Sequence, residues 1–172
     1  MAARFIVFFC IIAAVLLGLY CFPYKERGIS ERWFQLYLSG YAHLVGALLS
    51  PIDASVVVAG NVLRGRFSMA IIKTCDAMEI NILLVSAIAA FPASLRRKLV
   101  VLPVALALLV AANIGRLVIL YLVGIHLPGV FDRLHFEVFP LLMMAAAVLV
   151  FFGAVRVMTP GVIVPDGEPH VP

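Results

Sequence analysis

The chain has 172 residues, of which 65% are hydrophobic and 13% charged, and its mean hydropathy is +1.14. A soluble domain of this size needs far more polar surface, so lipid is part of the solvent; several bilayer spans of roughly 20 residues fit, with one modest polar insert. The net charge of +4 comes from 13 Lys and Arg scattered between apolar stretches. They form no basic stripe, which excludes a nucleic-acid face and points to topology and anionic headgroups instead.

Three cysteines make no disulfide framework. Cys10 lies inside the first apolar run, where a small buried hydrophobe is the plain reading. Cys21 closes that run, and a Cys21–Cys75 bridge would need both thiols in an oxidising compartment.

In chain order, the run from Phe5 to Phe22 follows a short head carrying Arg4. Its flank resembles a signal peptide, but Tyr20, Cys21, Phe22 and Pro23 stand where small cleavage-site residues would be, so an uncleaved span is expected. A mixed stretch with Lys25, Glu26 and Arg27 follows; Ser30 is placed to cap a helix with Glu31 in its first turn. Trp33, Tyr37 and Tyr41 then recur on one side of a helix, and such rings favour the headgroup zone, which predicts an interfacial helix over 33–49. A true span there is the competing reading. Pro51 ends this segment. Val56–Ala59 and Phe67–Ile72 are short, partly β-branched and separated by Gly60-Asn61 and Gly65, the pattern of a β-hairpin.

Three further apolar stretches follow, with Pro92 and the Ser94-Leu95-Arg96-Arg97-Lys98 run between the first two. The expected fold is an all-α integral membrane protein with about four transmembrane helices (5–22, 75–91, 99–123 and 136–155), an interfacial helix and a small extracytoplasmic β-hairpin. A single membrane domain spans 1–158, residues 23–74 form its outer insert, and 159–172 form a disordered cytoplasmic tail. The basic cluster sits in a very short loop, where the positive-inside rule is strongest. Calling that loop cytoplasmic puts both termini on the same side and the insert outside.

This topology brings three reactive residues to one level. Cys75 precedes the basic loop by about 18 residues and Arg116 follows it by about 18, so each lies roughly 27 Å from it along a helix. His135 precedes Arg156 by about 21 residues, or roughly 31 Å. Cys75 opens a helix, whose free N–H groups suit an anionic sulfur, while Asp76 and Glu79 oppose it by repulsion. Arg116 stands in an apolar run, where an ionised side chain is a functional candidate by default. Asn113 shares its face and could orient it; a structural ion pair of Arg116 with Glu79 or Asp76 is the plainer alternative. His126 lies in the same outer loop as His135, and spacing does not choose between them. No paired Cys/His spacing supports a zinc site, and no cofactor is implied.

The residues Val58-Ala59-Gly60-Asn61, the strand leading into Thr74-Cys75, Glu79, Phe91-Pro92-Ala93-Ser94-Leu95-Arg96, Asn113-x-x-Arg116 and Leu134-His135-Phe136 resemble the exosortase/archaeosortase family, and within it the short exosortase H type. The resemblance covers roughly residues 50–150. It implies a membrane-embedded, sortase-like cysteine protease or transpeptidase with Cys75, Arg116 and His135 as its catalytic set and Glu79 and Asn113 in support. The partners it implies are exported proteins carrying a C-terminal signal of recognition motif, transmembrane helix and basic end; the location is a bacterial cytoplasmic membrane with the site on the outer face. In one respect the chain departs from the family: Asp76-Ala77 stands where Ser or Asn and then Gly usually follow the cysteine. The alternative from another class is a non-enzymatic assembly or transport subunit, with Arg116 in a buried structural pair with an acid.

Overall fold

The computed structural model describes residues 2–21 and 29–159. Expectations for Lys25, Glu26, Arg27 and the tail beyond Thr159 lie outside these residues, and the side chains of the expected cap, Ser30 and Glu31, are not described. Most of the described chain is helical. Helix α1 (Ala2–Cys21) and α2 (Ile29–Leu49) come first, then strands β1 (Val57–Ala59), β2 (Val62–Arg64) and β3 (Met69–Ala70). A 3-10 turn at Lys73–Cys75 leads to α3 (Met78–Ala90) and α4 (Leu95–His126). A second such turn (Pro128–Val130), a short α5 (Phe131–Arg133) and a π-helical turn (Leu134–Val138) then run into α6 (Phe139–Met158).

Three helical segments are long and apolar enough to cross a bilayer: Ala3–Cys21, Leu95–His126 and Pro128–Met158. The chain is therefore a mostly helical membrane protein with a small sheet. The stretch expected to span over 75–91 forms a helix of only 13 residues, about 20 Å against a hydrocarbon core of about 30 Å. Its limits have local causes. The Asp76 carboxylate accepts the Met78 N–H at 2.8 Å and Ala77 is left-handed (φ 54°, ψ 21°), so helical geometry begins only at Met78. At the other end Phe91 turns extended ahead of Pro92, which disfavours helix at the residue before it.

The sheet has one strand more than a hairpin. β2 is central, with antiparallel partners β1 (Ala59↔Val62) and β3 (Leu63↔Met69). Gly60 (φ 62°) supplies the positive φ that a two-residue loop of type II′ needs at its first position. The sheet rests on α2 and α4 through two glycines: a Cβ on Gly46 would fall 2.5 Å from Val58, and one on Gly124 would fall 2.5 Å from the Phe67 ring.

Buried apolar residues form two clusters. One joins α2, the sheet and the upper half of α4, through Leu38, Val45, Leu63, Ile71, Leu117 and Tyr121. The other joins the basic-loop ends of α3, α4 and α6, through Ile88, Leu109, Ala154 and Met158. The expected ring row on α2 runs from surface to core: Trp33 is 69% exposed, whereas Tyr41 is buried, with Tyr37 edge-on to it at 5.1 Å. Leu36, Leu44 and Leu48 on the same helix stay exposed, as a lipid-facing surface allows.

Candidate functional site

Cys75 ends its 3-10 turn rather than opening a helix, and its N–H donates to the Ile72 carbonyl at 2.8 Å. It is buried in the sheet-side cluster. All three cysteines are free; Cys10 and Cys21 are exposed. From α4, Asn113 Nδ2 donates to the Cys75 carbonyl at 3.0 Å. Asn113 Oδ1 accepts from Arg116 Nη1 at 3.5 Å, the long limit of such a bond. Asn113 therefore touches both the backbone of the thiol residue and the guanidinium one helical turn away.

Arg116 is 6% exposed, and its Nε is buried with no partner among the described residues. It lies in electrostatic range of both Cys75 and His135. The alternative, an ion pair with Glu79 or Asp76, does not form: among the described residues the ion pair is Arg133–Glu137 at 3.6 Å, on the surface. Glu79 is exposed in the first turn of α3. A buried guanidinium without a carboxylate is costly, and among the described residues this one keeps its Nε donor unpartnered.

His135 comes from the π-helical turn that begins the last span. Such turns are rare and occur frequently at functional sites. The ring is half-buried, stacked on Phe131 (5.7 Å, 9°) and edge-on to Phe136 (4.6 Å, 81°). Its Nδ1 is buried and has no partner among the described residues. His126, its rival in the sequence, is exposed at the end of α4.

The loop that carries Cys75 is clasped by α1, which composition did not foretell. The Tyr20 hydroxyl lies 3.2 Å from Asp76 Oδ2 and 3.2 Å from the Lys73 carbonyl, with one proton to give. Lys73 returns the contact, donating Nζ to the Tyr20 carbonyl at 2.8 Å and sitting 4.0 Å above its ring. Asp76, at 1% exposure, is thus a fixed part of the loop and not a free charge beside the thiol. Ala77 is the one non-glycine residue at positive φ among the described residues, at the position where the resembled family carries glycine.

Asp53 also escaped the sequence reading. It accepts the Ser55 hydroxyl (2.6 Å), the Ser55 N–H (3.0 Å), the Arg66 N–H (3.1 Å) and the Tyr121 hydroxyl (2.8 Å). The last bond ties the segment between α2 and β1 to α4. The Ser55 hydroxyl, with the Tyr121 hydroxyl and the Arg66 N–H behind it, holds the Asp53 carboxyl below the usual carboxylate range, against the opposing effect of burial. Gly65 makes room for this knot, since a Cβ there would fall 2.3 Å from the Tyr121 hydroxyl. The local signal was Asp53-Ala54-Ser55, an Asx-type turn; nothing local marks Tyr121 as its partner.

Among the described residues no three His, Cys, Asp or Glu side chains gather in a way that could hold a metal ion. The chemistry on offer is a thiol, a guanidinium with unused donors and an imidazole with an unused nitrogen, drawn from three separate segments. No protein-family model, curated protein or solved structure matches this chain.

Proposed function

We propose that the chain is a sortase-like cysteine peptidase or transpeptidase, embedded in a bacterial cytoplasmic membrane, that processes the C-terminal sorting signals of exported proteins at the outer face. The observation that carries this reading is the Asn113 bridge: it fixes the Cys75 backbone against an arginine that is buried and that, among the described residues, has an unpartnered Nε and no ion pair with an acid. The motif resemblance to the exosortase/archaeosortase family supports the same three residues.

In this mechanism His135 takes the proton of the Cys75 thiol, and the sulfur attacks the scissile carbonyl carbon of the substrate. The S–C bond forms, the carbonyl π pair moves to oxygen, and Arg116 stabilises the oxyanion, an effect enhanced where water is scarce. Collapse breaks the C–N bond. The leaving amine takes the proton from His135, and a thioester remains on Cys75. An incoming amine or water then gives its proton to His135, attacks the thioester and releases the thiol. Asn113 positions Arg116, while Glu79, on the outer side of α3, meets solvent or substrate. Under the positive-inside rule, α1, α4 and α6 cross the membrane, α3 enters beside them as the fourth apolar element, and α2 and the sheet cover the site from outside.

The test is co-expression with an exported protein bearing a C-terminal signal of recognition motif, transmembrane helix and basic end. Cleavage is followed by blotting at matched membrane levels. Loss of cleavage in each of Cys75→Ala, Arg116→Ala and His135→Ala is the expected result. Cleavage undiminished in Cys75→Ala would remove the thiol mechanism and leave a non-enzymatic membrane subunit as the reading.

A further inference from the structure

At the basic-loop end, far from Cys75, a cavity of about 880 Å³ opens between α1, the end of α3, the start of α4 and the end of α6. Its polar part is formed by Arg4, Arg97 and Lys98 with Ser94 and Thr159, and among the described residues no acidic one lines it. Its other wall is apolar, built from residues that include Phe5, Phe8 and Ile12 of α1. Phe8 is 57% exposed, so this wall continues into the surface that α1 turns to the bilayer.

Two of the three cations also close helix ends. Arg97 Nη1 donates to the Met158 carbonyl at 2.9 Å, and Lys98 Nζ donates to the Ala89 carbonyl. These bonds use one donor each, of the five on a guanidinium and three on an ammonium. The remaining donors line the cavity, held in place by the same carbonyls. The lining thus pairs a cationic end with an apolar wall that reaches lipid, at a volume within the roughly 300–1,000 Å³ usual for small-molecule sites.

We infer that this cavity binds an anionic phospholipid, its phosphate between Arg4, Arg97 and Lys98 and an acyl chain along Phe5, Phe8 and Ile12 of α1. Charge selects an anionic over a zwitterionic headgroup, because three cations line the cavity and, among the described residues, no carboxylate is there to receive a choline or ethanolamine. The apolar wall selects a lipid over a free anion, which would leave it wet. The occupant would hold α1 against the α3–α4 loop. This site does not depend on the acyl-transfer reading at the opposite end.

The full chain is extracted into micelles containing equimolar phosphatidylglycerol and phosphatidylcholine, and retained lipid is counted by native mass spectrometry. The expected result is a preference for phosphatidylglycerol that falls about fivefold for each cation removed, in Arg4→Gln and then in Arg4→Gln/Arg97→Gln/Lys98→Gln. Arg64→Gln, on β2, leaves the preference as it was. Arg4→Gln decides the matter if the triple variant does not fold, since Arg4 is exposed and near the start of α1. Equal retention of both lipids would overturn the proposal, as would an unchanged preference in Arg4→Gln. Displacement of phosphatidylglycerol by millimolar inorganic phosphate would reassign the cavity to a free anion.

Discussion

The two ends of the helical bundle solve the burial of polar groups in opposite ways. Around the basic loop, the interior is Leu84, Ile88, Val101, Ala105, Leu109, Ala147, Ala154 and Met158, and the cations stay at the rim, closing the last turns of α3 and α6. Lys and Arg at helix C-termini satisfy orphan carbonyls and complement the dipole, at little desolvation cost. Around the sheet, Asp53, Asp76, Asn113 and Arg116 are all buried. Asp53 accepts four hydrogen bonds, and Asp76 accepts the Met78 N–H with the Tyr20 hydroxyl beside it, as buried polar groups normally do; among the described residues Arg116 Nε has no partner. Tyr41 and Asn81 also keep a buried oxygen without a partner among the described residues, so it is the charge of Arg116 in an apolar run, together with its unpartnered Nε, that marks it as the candidate.

The largest effect expected from this contrast is on activity. Arg116→Ala should slow signal cleavage by about 10²–10³-fold, the usual cost of one oxyanion donor. Arg96→Gln, an equally drastic loss of charge at the other end, should leave the rate alone. Initial rates by blotting would check both, and equal losses would erase the distinction between the ends.

The glycines should divide in the same way. Gly124→Ala drives a Cβ to 2.5 Å from a Phe67 ring that is itself packed on Tyr121 and Phe131, so it should destabilise the fold by about 1–3 kcal/mol. Gly153→Ala in α6 meets nothing within 4 Å and should stabilise by up to about 1 kcal/mol through helix propensity. Thermal unfolding in one detergent would show shifts of opposite sign.

Ala77→Gly offers a smaller gain. A non-glycine residue at φ 54° costs about 1 kcal/mol relative to glycine, so the substitution should raise the melting temperature by about 2–4 °C. A fall instead would mean that the neighbouring bonds, from the Met78 N–H to Asp76 and from the Asn81 N–H to the Ala77 carbonyl (3.0 Å), depend on the methyl group.

The smallest effect is electrostatic. The Asp53 carboxyl titrates lower in the folded chain than the roughly 3.9 of an unfolded aspartate, so its contribution to stability is complete above that value. It is lost as pH falls below about 4 toward the folded value. Stability should therefore be flat from neutral pH to about 5 in this respect and decline beneath 4, with a weaker decline in Asp53→Asn.

The sequence made the membrane character legible, and helical rise, which converts residue counts into depth, is the ground for expecting Cys75, Arg116 and His135 at one level. Arg116 was visible as a charge in an apolar run, and its i, i+3 spacing from Asn113 showed their shared face. What spacing could not show was the second bond of Asn113, to a carbonyl 38 residues away. The Tyr20–Asp76 and Tyr121–Asp53 contacts were hidden for the same reason: each joins segments 56 and 68 residues apart. The central strand β2 was missed because Val62-Leu63-Arg64 is too short to display alternation. The helix over 75–91 was overextended because apolarity continues through Ala77, while a left-handed residue is invisible when it is not glycine.

The measurement that bears most directly on the central claim is a search for an acyl-enzyme. The full chain would be mixed in membranes with a substrate signal and quenched, and Cys75 would be read by peptide mass spectrometry. The expected result is a substrate fragment on the Cys75 sulfur, released by hydroxylamine as a thioester must be and depleted in Arg116→Ala. Cleavage that proceeds at the native rate in Cys75→Ala, or an acyl group carried on any other residue, would contradict it.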